Sequence, residues 1–226
     1  FLCTTTDQFY DAIEVAIPTF NERLQGKFKV RALAGWTMPP QQIWLRDEIS
    51  SIADLKGKKV RTWNKTQVQM LDLLGGSGVA ITPAEVIPAL QRGVVDGAVT
   101  AVIPAYDWKF YEVAKTGYML NFTMTDQLIA VNDDAFEALP EETKKALAAT
   151  AKAWQDKFRQ AINAAASEAA QKLEAEGMTL VTPTSADFET ARSATRVMWE
   201  EWAKANGQVG EKLLADVGAA CGAEAQ

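Results

Sequence analysis

KKVRTWNKTQVQMLDLLGGSGVAITPAEVIPALQRGVVDGAVTAVI, residues 58–103, decides the fold. Lys58 to Trp63 reads as a short strand, and Thr66 to Leu74 as a helix that Gly75-Gly76 stops. Val79-Ala80-Ile81 is a second strand. Thr82-Pro83-Ala84-Glu85 then opens a helix: Thr82 caps it, Pro83 suits its first position and Glu85 closes a capping box. That helix ends at Gly93. Val94-Val95 and Ala98 to Ile103 flank Asp96-Gly97 as a third strand. Strand, helix, strand, helix, strand in that order predicts an α/β fold, a parallel sheet with helices on its faces.

Toward the amino end, Ser51-Ile52-Ala53-Asp54 is a small capping box ending at Gly57, and Gly35 to Pro40 breaks regular structure. That break is read as a crossing between lobes. Asp7 to Leu24 has helical spacing at Phe9, Ile13, Ala16, Ile17 and Phe20, with Gly26 as its stop, and Phe28 to Leu33 alternates like a strand. Toward the carboxyl end, Gln127 to Val131 is strand-like. Pro140 to Glu176 is one helical stretch rich in Ala, Glu, Lys and Gln. At 1.5 Å per residue it would be ~55 Å long, more than one small lobe needs, so it is expected to bridge two lobes. Its expected buried stripe is Leu147, Trp154, Phe158, Ile162 and Ala165. Ser185 to Ala205 is a second amphipathic helix, and a last one follows from Val209.

Composition narrows the chemistry. The 226 residues suffice for one large domain or two small lobes. The formal charge of −6 disfavours nucleic acid and anionic membrane as partners, because both need a cationic face. The absence of histidine removes the usual general base and the commonest metal ligand. Cys3 and Cys221 form no CxxC pair, so no thiolate zinc site is expected. A disulfide between them would require the two ends of the chain to meet, and the reading counts that as the lesser alternative. No apolar run approaches the ~18 residues of a membrane span, and no signal peptide is visible. The start at Phe1 without methionine suggests that a segment ahead of it has been removed.

Few motifs carry chemistry. Gly75-Gly76-Ser77-Gly78 follows a helix and precedes a strand, the reverse of a phosphate loop, so it reads as a turn. Without histidine a Ser-His-Asp triad is impossible. The carboxylate pairs Glu141-Glu142 and Glu200-Glu201 lie on helices, where solvation explains them. Arg61 is the exception. A covered parallel strand rarely carries arginine, but the carboxyl end of such a strand is where open α/β sheets bind ligands. Its fork matches a carboxylate; the alternative is a surface ion pair. Trp36, Trp44, Trp63 and Trp108 are candidates either for a pocket wall or for plain core.

Ile52-Ala53-Asp54-Leu55-Lys56-Gly57-Lys58-Lys59-Val60-Arg61 and Glu85-Val86-Ile87-Pro88-Ala89-Leu90-Gln91-Arg92-Gly93-Val94-Val95-Asp96-Gly97 resemble the solute receptors of TRAP (tripartite ATP-independent periplasmic) transporters. Phe110 to Lys115 and Leu139-Pro140-Glu141-Glu142 match the same pattern, and the similarity covers nearly the whole chain. The resemblance implies a two-lobed periplasmic binding protein (venus-flytrap) fold with crossing strands and a long lobe-spanning helix. One lobe would comprise residues 1–39 and 126–165, the other 40–125 and 166–226. Family members carry two strands and a helix ahead of the position of Phe1. The implied function is a periplasmic receptor, a monomer without cofactor or metal, that binds a small organic acid and hands it to the TRAP membrane subunits. Arg61 would pair with the ligand carboxylate, with Trp63, Gln41, Thr100 and Phe122 around it. The family's polar residue after Asp-Gly, often asparagine, is replaced here by Ala98, Val99 and Thr100. An arginine found in some members near Pro40 is replaced by Gln41 and Gln42. Both departures point to a small monocarboxylate in preference to a hydroxyl-rich sugar acid. The other readings are a ligand-sensing module of a signalling receptor and an enzyme on a similar scaffold.

Overall fold

A computed structural model describes residues 1–222. In chain order it runs α1 (Thr6–Phe28), β1 (Val30–Thr37), β2 (Gln41–Leu45), β3 (Lys59–Thr62), α2 (Lys65–Leu73) and β4 (Ser77–Ala80). There follow α3 (Val86–Gln91), β5 (Gly97–Ala101), α4 (Val102–Asp107), β6 (Thr116–Thr123) and β7 (Asp126–Asn132). The chain continues with α5 (Asp133–Glu137), α6 (Glu141–Ala175), β8 (Thr179–Val181), α7 (Ser185–Ala205) and α8 (Gly207–Ala220). Two compact units emerge. A large-sheet unit holds Pro39–Thr123 and Ala165–Glu201, and a small-sheet unit holds Leu2–Met38, Met124–Ala164 and the described chain from Trp202. The break before Trp202 assigns α8 to the small-sheet unit, whereas the sequence reading kept 166–226 whole in the other lobe.

The large sheet has the order β4-β3-β5-β2-β6-β8. β3 pairs in parallel with β4 and β5, and β6 with β8, while β2 runs antiparallel to β5 and β6. Five strands therefore bring their carboxyl ends to one edge, which the amino end of β2 shares. Val60, Val99, Ile43 and Tyr118 face Leu71 of α2 and Ala191 of α7. Trp44 and Ala98 face the opposite layer, Leu90 of α3, Ala105 of α4 and Leu173 of α6. Gly97 is required where β5 meets β2, since a Cβ there would lie 2.4 Å from the Trp44 carbonyl oxygen. The residues expected to continue the third strand, Val102 and Ile103, instead open α4, because Pro104 supplies a φ ready for a first helical turn. Thr82 hydrogen-bonds the Glu85 carboxylate at 2.7 Å rather than capping the backbone, and a single 3₁₀ turn precedes α3. β2 and β6, both central, were not foreseen.

In the small-sheet unit α1 passes through Gly26, and its left-handed stop falls at Lys29, φ 55°. β1 pairs antiparallel with β7 from Val30↔Asn132 to Thr37↔Asp126. Gly35, Trp36 and Thr37 are thus strand, and the expected break begins only at Met38. Trp36 stacks on Phe158 with ring centroids 4.6 Å apart. Cys3 and Cys221, 218 residues apart in sequence, form a disulfide that ties the chain ahead of α1 to the end of α8. The lesser alternative of the sequence reading is therefore the one realised. The reason is that α8 packs along α1, so the two chain ends do meet.

α6 is unbroken over 35 residues, those through Ala164 belonging to the small-sheet unit and those from Ala165 to the large-sheet unit. Its buried positions correct the expected stripe. Ala151, Gln155, Ala169 and Leu173 are buried and Phe158 and Ile162 half-buried, whereas Leu147, Trp154 and Ala165 are exposed. On this helix small residues allow close approach, and bulk on a neighbouring position was mistaken for burial. The Gln155 carboxamide accepts the Gly35 N–H at 3.2 Å, an interior bond that an apolar stripe does not reveal.

Candidate functional site

Arg61 stands one residue before the end of β3 and its side chain is fully buried. Nε donates to the Ile81 carbonyl at 2.8 Å and Nη1 to the Val99 carbonyl at 3.2 Å, so the chains leaving β4 and running through β5 hold the guanidinium from both sides. Strand alternation puts Trp63 on the same face as Arg61, and the ring centroid lies 4.4 Å from the guanidinium carbon. Nη2 is enclosed and has no hydrogen-bond partner. Among the described residues no carboxylate forms an ion pair with Arg61. Burial pushes its pKa down to about 10, which still leaves it charged at neutral pH. A buried cation with an open donor is costly unless an anion completes it.

Beside it lies a second polar group that the sequence reading did not single out. Asn64 caps α2 by accepting the Gln67 N–H at 3.0 Å. The Gln67 side chain is buried and makes three further bonds. Its Oε1 accepts the Trp63 N–H at 2.8 Å, and its Nε2 donates to Gln41 Oε1 at 3.0 Å and Thr123 Oγ1 at 2.8 Å. Gln67 thus joins the carboxyl ends of β3 and β6 to the start of β2. The spacing Asn64-x-x-Gln67 is a helix-start pattern, and the first turn after a parallel strand sits at the ligand edge. That signal was present in the sequence. Thr62, between Arg61 and Trp63, is also buried, and its hydroxyl has no partner.

The structure sets Trp63 against Arg61 and links Trp63 to Gln41 through Gln67. Thr100 is buried on β5, where its carbonyl receives the Trp44 indole N–H at 2.8 Å. Gln42, paired in register with Thr100, exchanges hydrogen bonds with Asn121 at 2.8 Å. Phe122 is not brought into the group. It is 1% exposed in the core, edge-on to Phe1, because the alternation of β6 puts it on the same buried face as Tyr118 and Leu120. Of the tryptophans, Trp44 is core, Trp36 stacks on Phe158, Trp108 is half-buried, and Trp63 alone combines exposure with contact to Arg61.

A depression of about 500 Å³ lies at the other edge of the sheet, among Arg46, Asp47, Leu90, Glu112 and Lys115. It is open, and both its acids are already paired, Asp47 with Lys58 at 2.5 Å and Glu112 with Lys109 at 3.6 Å. The buried cation with an unpartnered donor lies instead at the Arg61 edge. Among the described residues no cluster of acidic, cysteine or histidine side chains could hold a metal ion, and no helix is long and apolar enough to cross a membrane.

A model of the bacterial extracellular solute-binding protein family 7 (DctP) matches residues 4–206. The chain belongs to this family. Its members are the periplasmic solute receptors of TRAP transporters. The sialic acid-binding periplasmic protein SiaP of Vibrio cholerae is 26% identical over 200 residues, 88% of this chain and 60% of that protein. The chain therefore spans about three fifths of that relative's length. A crystal structure of a TRAP periplasmic solute-binding protein from Rhodobacter sphaeroides, apo and open, superposes with a TM-score of 0.92 at 25% identity, covering 97% of this chain and 72% of the other. DctP7, a Bordetella pertussis extracytoplasmic receptor binding pyroglutamic acid, has a TM-score of 0.81 at 22% identity over 96% of this chain and 72% of its own. The DctP chain described here has the two-lobed periplasmic binding fold of these neighbours.

Proposed function

We propose that this DctP-family chain takes a small monocarboxylate on Arg61 in the periplasm and, as part of the whole receptor, delivers it to TRAP membrane subunits without chemical change. One observation carries the reading: a fully buried guanidinium, fixed by two carbonyls and covered by Trp63, keeps Nη2 free and has no acidic partner. A carboxylate would complete it with short, charge-assisted hydrogen bonds. The Cys3–Cys221 disulfide suits an oxidising compartment such as the periplasm. The named ligand of the Vibrio cholerae relative, sialic acid, is a carboxylate on a hydroxyl-rich body. Here the Trp63 ring over Arg61 and the nearby amides of Gln41 and Gln67 favour a plainer body.

Thermal unfolding of the protein against a panel of keto, hydroxy, aromatic and sugar acids tests the proposal. A ligand at about 100 times its Kd adds ~2.7 kcal/mol of stability, so a binder raises Tm by several degrees and is recovered unaltered. Stabilisation by none of the acids, or conversion of a bound one, would overturn it.

A further inference from the structure

Resting on the reading of Arg61 as the carboxylate anchor, we infer that Gln67 turns the Gln41 amide so that its NH₂ is the group left to a ligand, and the site favours a hydrogen-bond acceptor as the ligand's second polar group. The inference follows from which atoms can donate. The Trp63 main-chain N–H is a donor alone, so the Gln67 atom 2.8 Å from it must be the oxygen. The other terminal atom of Gln67 is then the NH₂, and both its neighbours must accept: Gln41 through Oε1 at 3.0 Å and Thr123 through Oγ1 at 2.8 Å. With its oxygen committed, Gln41 is left with its NH₂ to offer, and Thr123 with its hydroxyl hydrogen. Arg61 Nη2 is likewise a donor. Arg61 and the NH₂ of Gln41 thus present donors, while the oxygens of Gln41 and Thr123 are each already engaged by the Gln67 NH₂. Such a set fits a monocarboxylate whose second group is a carbonyl oxygen, as in an oxo acid or a lactam acid. It tolerates a hydroxyl, which can turn a lone pair to Gln41, and rejects an ammonium, which only donates. Gln67 is a positioning residue in this account, acting through Gln41 and Thr123.

Calorimetric titration with matched oxo, hydroxy and amino acids tests it, using the 2-substituted 4-methylpentanoates and the 4-substituted pentanoates. The protein is expected to bind the better oxo acid at least about tenfold more tightly than its amino counterpart. Gln67→Glu keeps the Trp63 bond but replaces the inward donor by an acceptor, so Gln41 must turn its NH₂ inward and its oxygen outward. The oxo-to-hydroxy affinity ratio should then fall about tenfold, whatever the added charge does to both acids alike. Gln41→Glu places an acceptor outward without touching Gln67 and should lower the same ratio, which covers the case in which Gln67→Glu does not fold. Acids that bind and depend on Arg61, with an oxo-to-hydroxy ratio unmoved in the folded variants or an amino acid preferred by the parent protein, would overturn the inference and leave the anchor standing. Binding of no acid, or binding indifferent to Arg61→Ala, would overturn the anchor and this inference with it.

Discussion

Two buried charges in the large-sheet unit are treated in opposite ways. Asp187, in the first turn of α7, is 6% exposed, and its carboxylate is saturated. Oδ1 accepts the Ile52 N–H at 3.0 Å, and Oδ2 accepts the Thr184 N–H at 2.9 Å and its hydroxyl at 2.7 Å. Burial alone would push its pKa up, but the bonds from Ile52 and Thr184 outweigh it and hold the carboxyl below its ordinary value. Arg61 has two carbonyls and a ring, and its Nη2 is left without a partner. The contrast teaches that burial of a charge does not mark a site; incompleteness does. A saturated charge fastens two segments of the fold, whereas an unsaturated one is held ready for something from outside.

The sharpest way to break this comparison is to remove each charge. Arg61→Ala should cost ~2–5 kcal/mol of acid binding, roughly thirtyfold to several thousandfold in Kd by calorimetry. Its effect on the unliganded fold should be within about 1–2 kcal/mol, because the lost carbonyl bonds are offset by removal of a desolvated charge. Asp187→Ala should do the reverse. It strands the buried Ile52 N–H and unpairs Thr184, and should cost about 2–3 kcal/mol in urea unfolding, with Kd changed less than about twofold. Weakened binding in Asp187→Ala alone would erase the distinction.

Smaller effects sharpen it. Arg61→Lys keeps the charge but loses the fork and should still cost ~1–3 kcal/mol of binding. Asp187 also predicts an acid dependence. Its folded pKa is depressed, so its contribution is fully present above the unfolded value of about 3.9 and is lost as pH falls through the folded one. Below about pH 4 the parent protein should lose stability faster than Asp187→Asn, as followed by circular dichroism in urea. Lys115→Ala, in the open depression at the opposite edge of the sheet, should change binding by less than about 0.5 kcal/mol.

Much of the large-sheet unit was legible because its punctuation is local. Gly75 and Gly93 sit at helix ends where left-handed turns are needed, and they frame the strands between them. Arg61 was legible for a related reason, as a charge on a strand with covered faces. β2 and β6 were not, since β2 follows two prolines and the pairing of β6 with β2 shifts register near Asn121, where φ is 51°. Gln67 escaped because a glutamine in a first helical turn reads as solvent-facing, and only the tertiary approach of Gln41 and Thr123 buries it. The Cys3–Cys221 pairing had no local signal at all, because it depends on α8 returning to α1. On α6 the periodicity was sound but the phase was not, since alanines outnumber the large side chains that would reveal it.

The most direct test is a crystal structure with a bound monocarboxylate that passes the thermal screen. The account predicts a ligand carboxylate oxygen within about 3 Å of Arg61 Nη2, with Trp63 still over the guanidinium. A ligand seated instead among Arg46, Asp47 and Lys115, with Nη2 untouched, would contradict it.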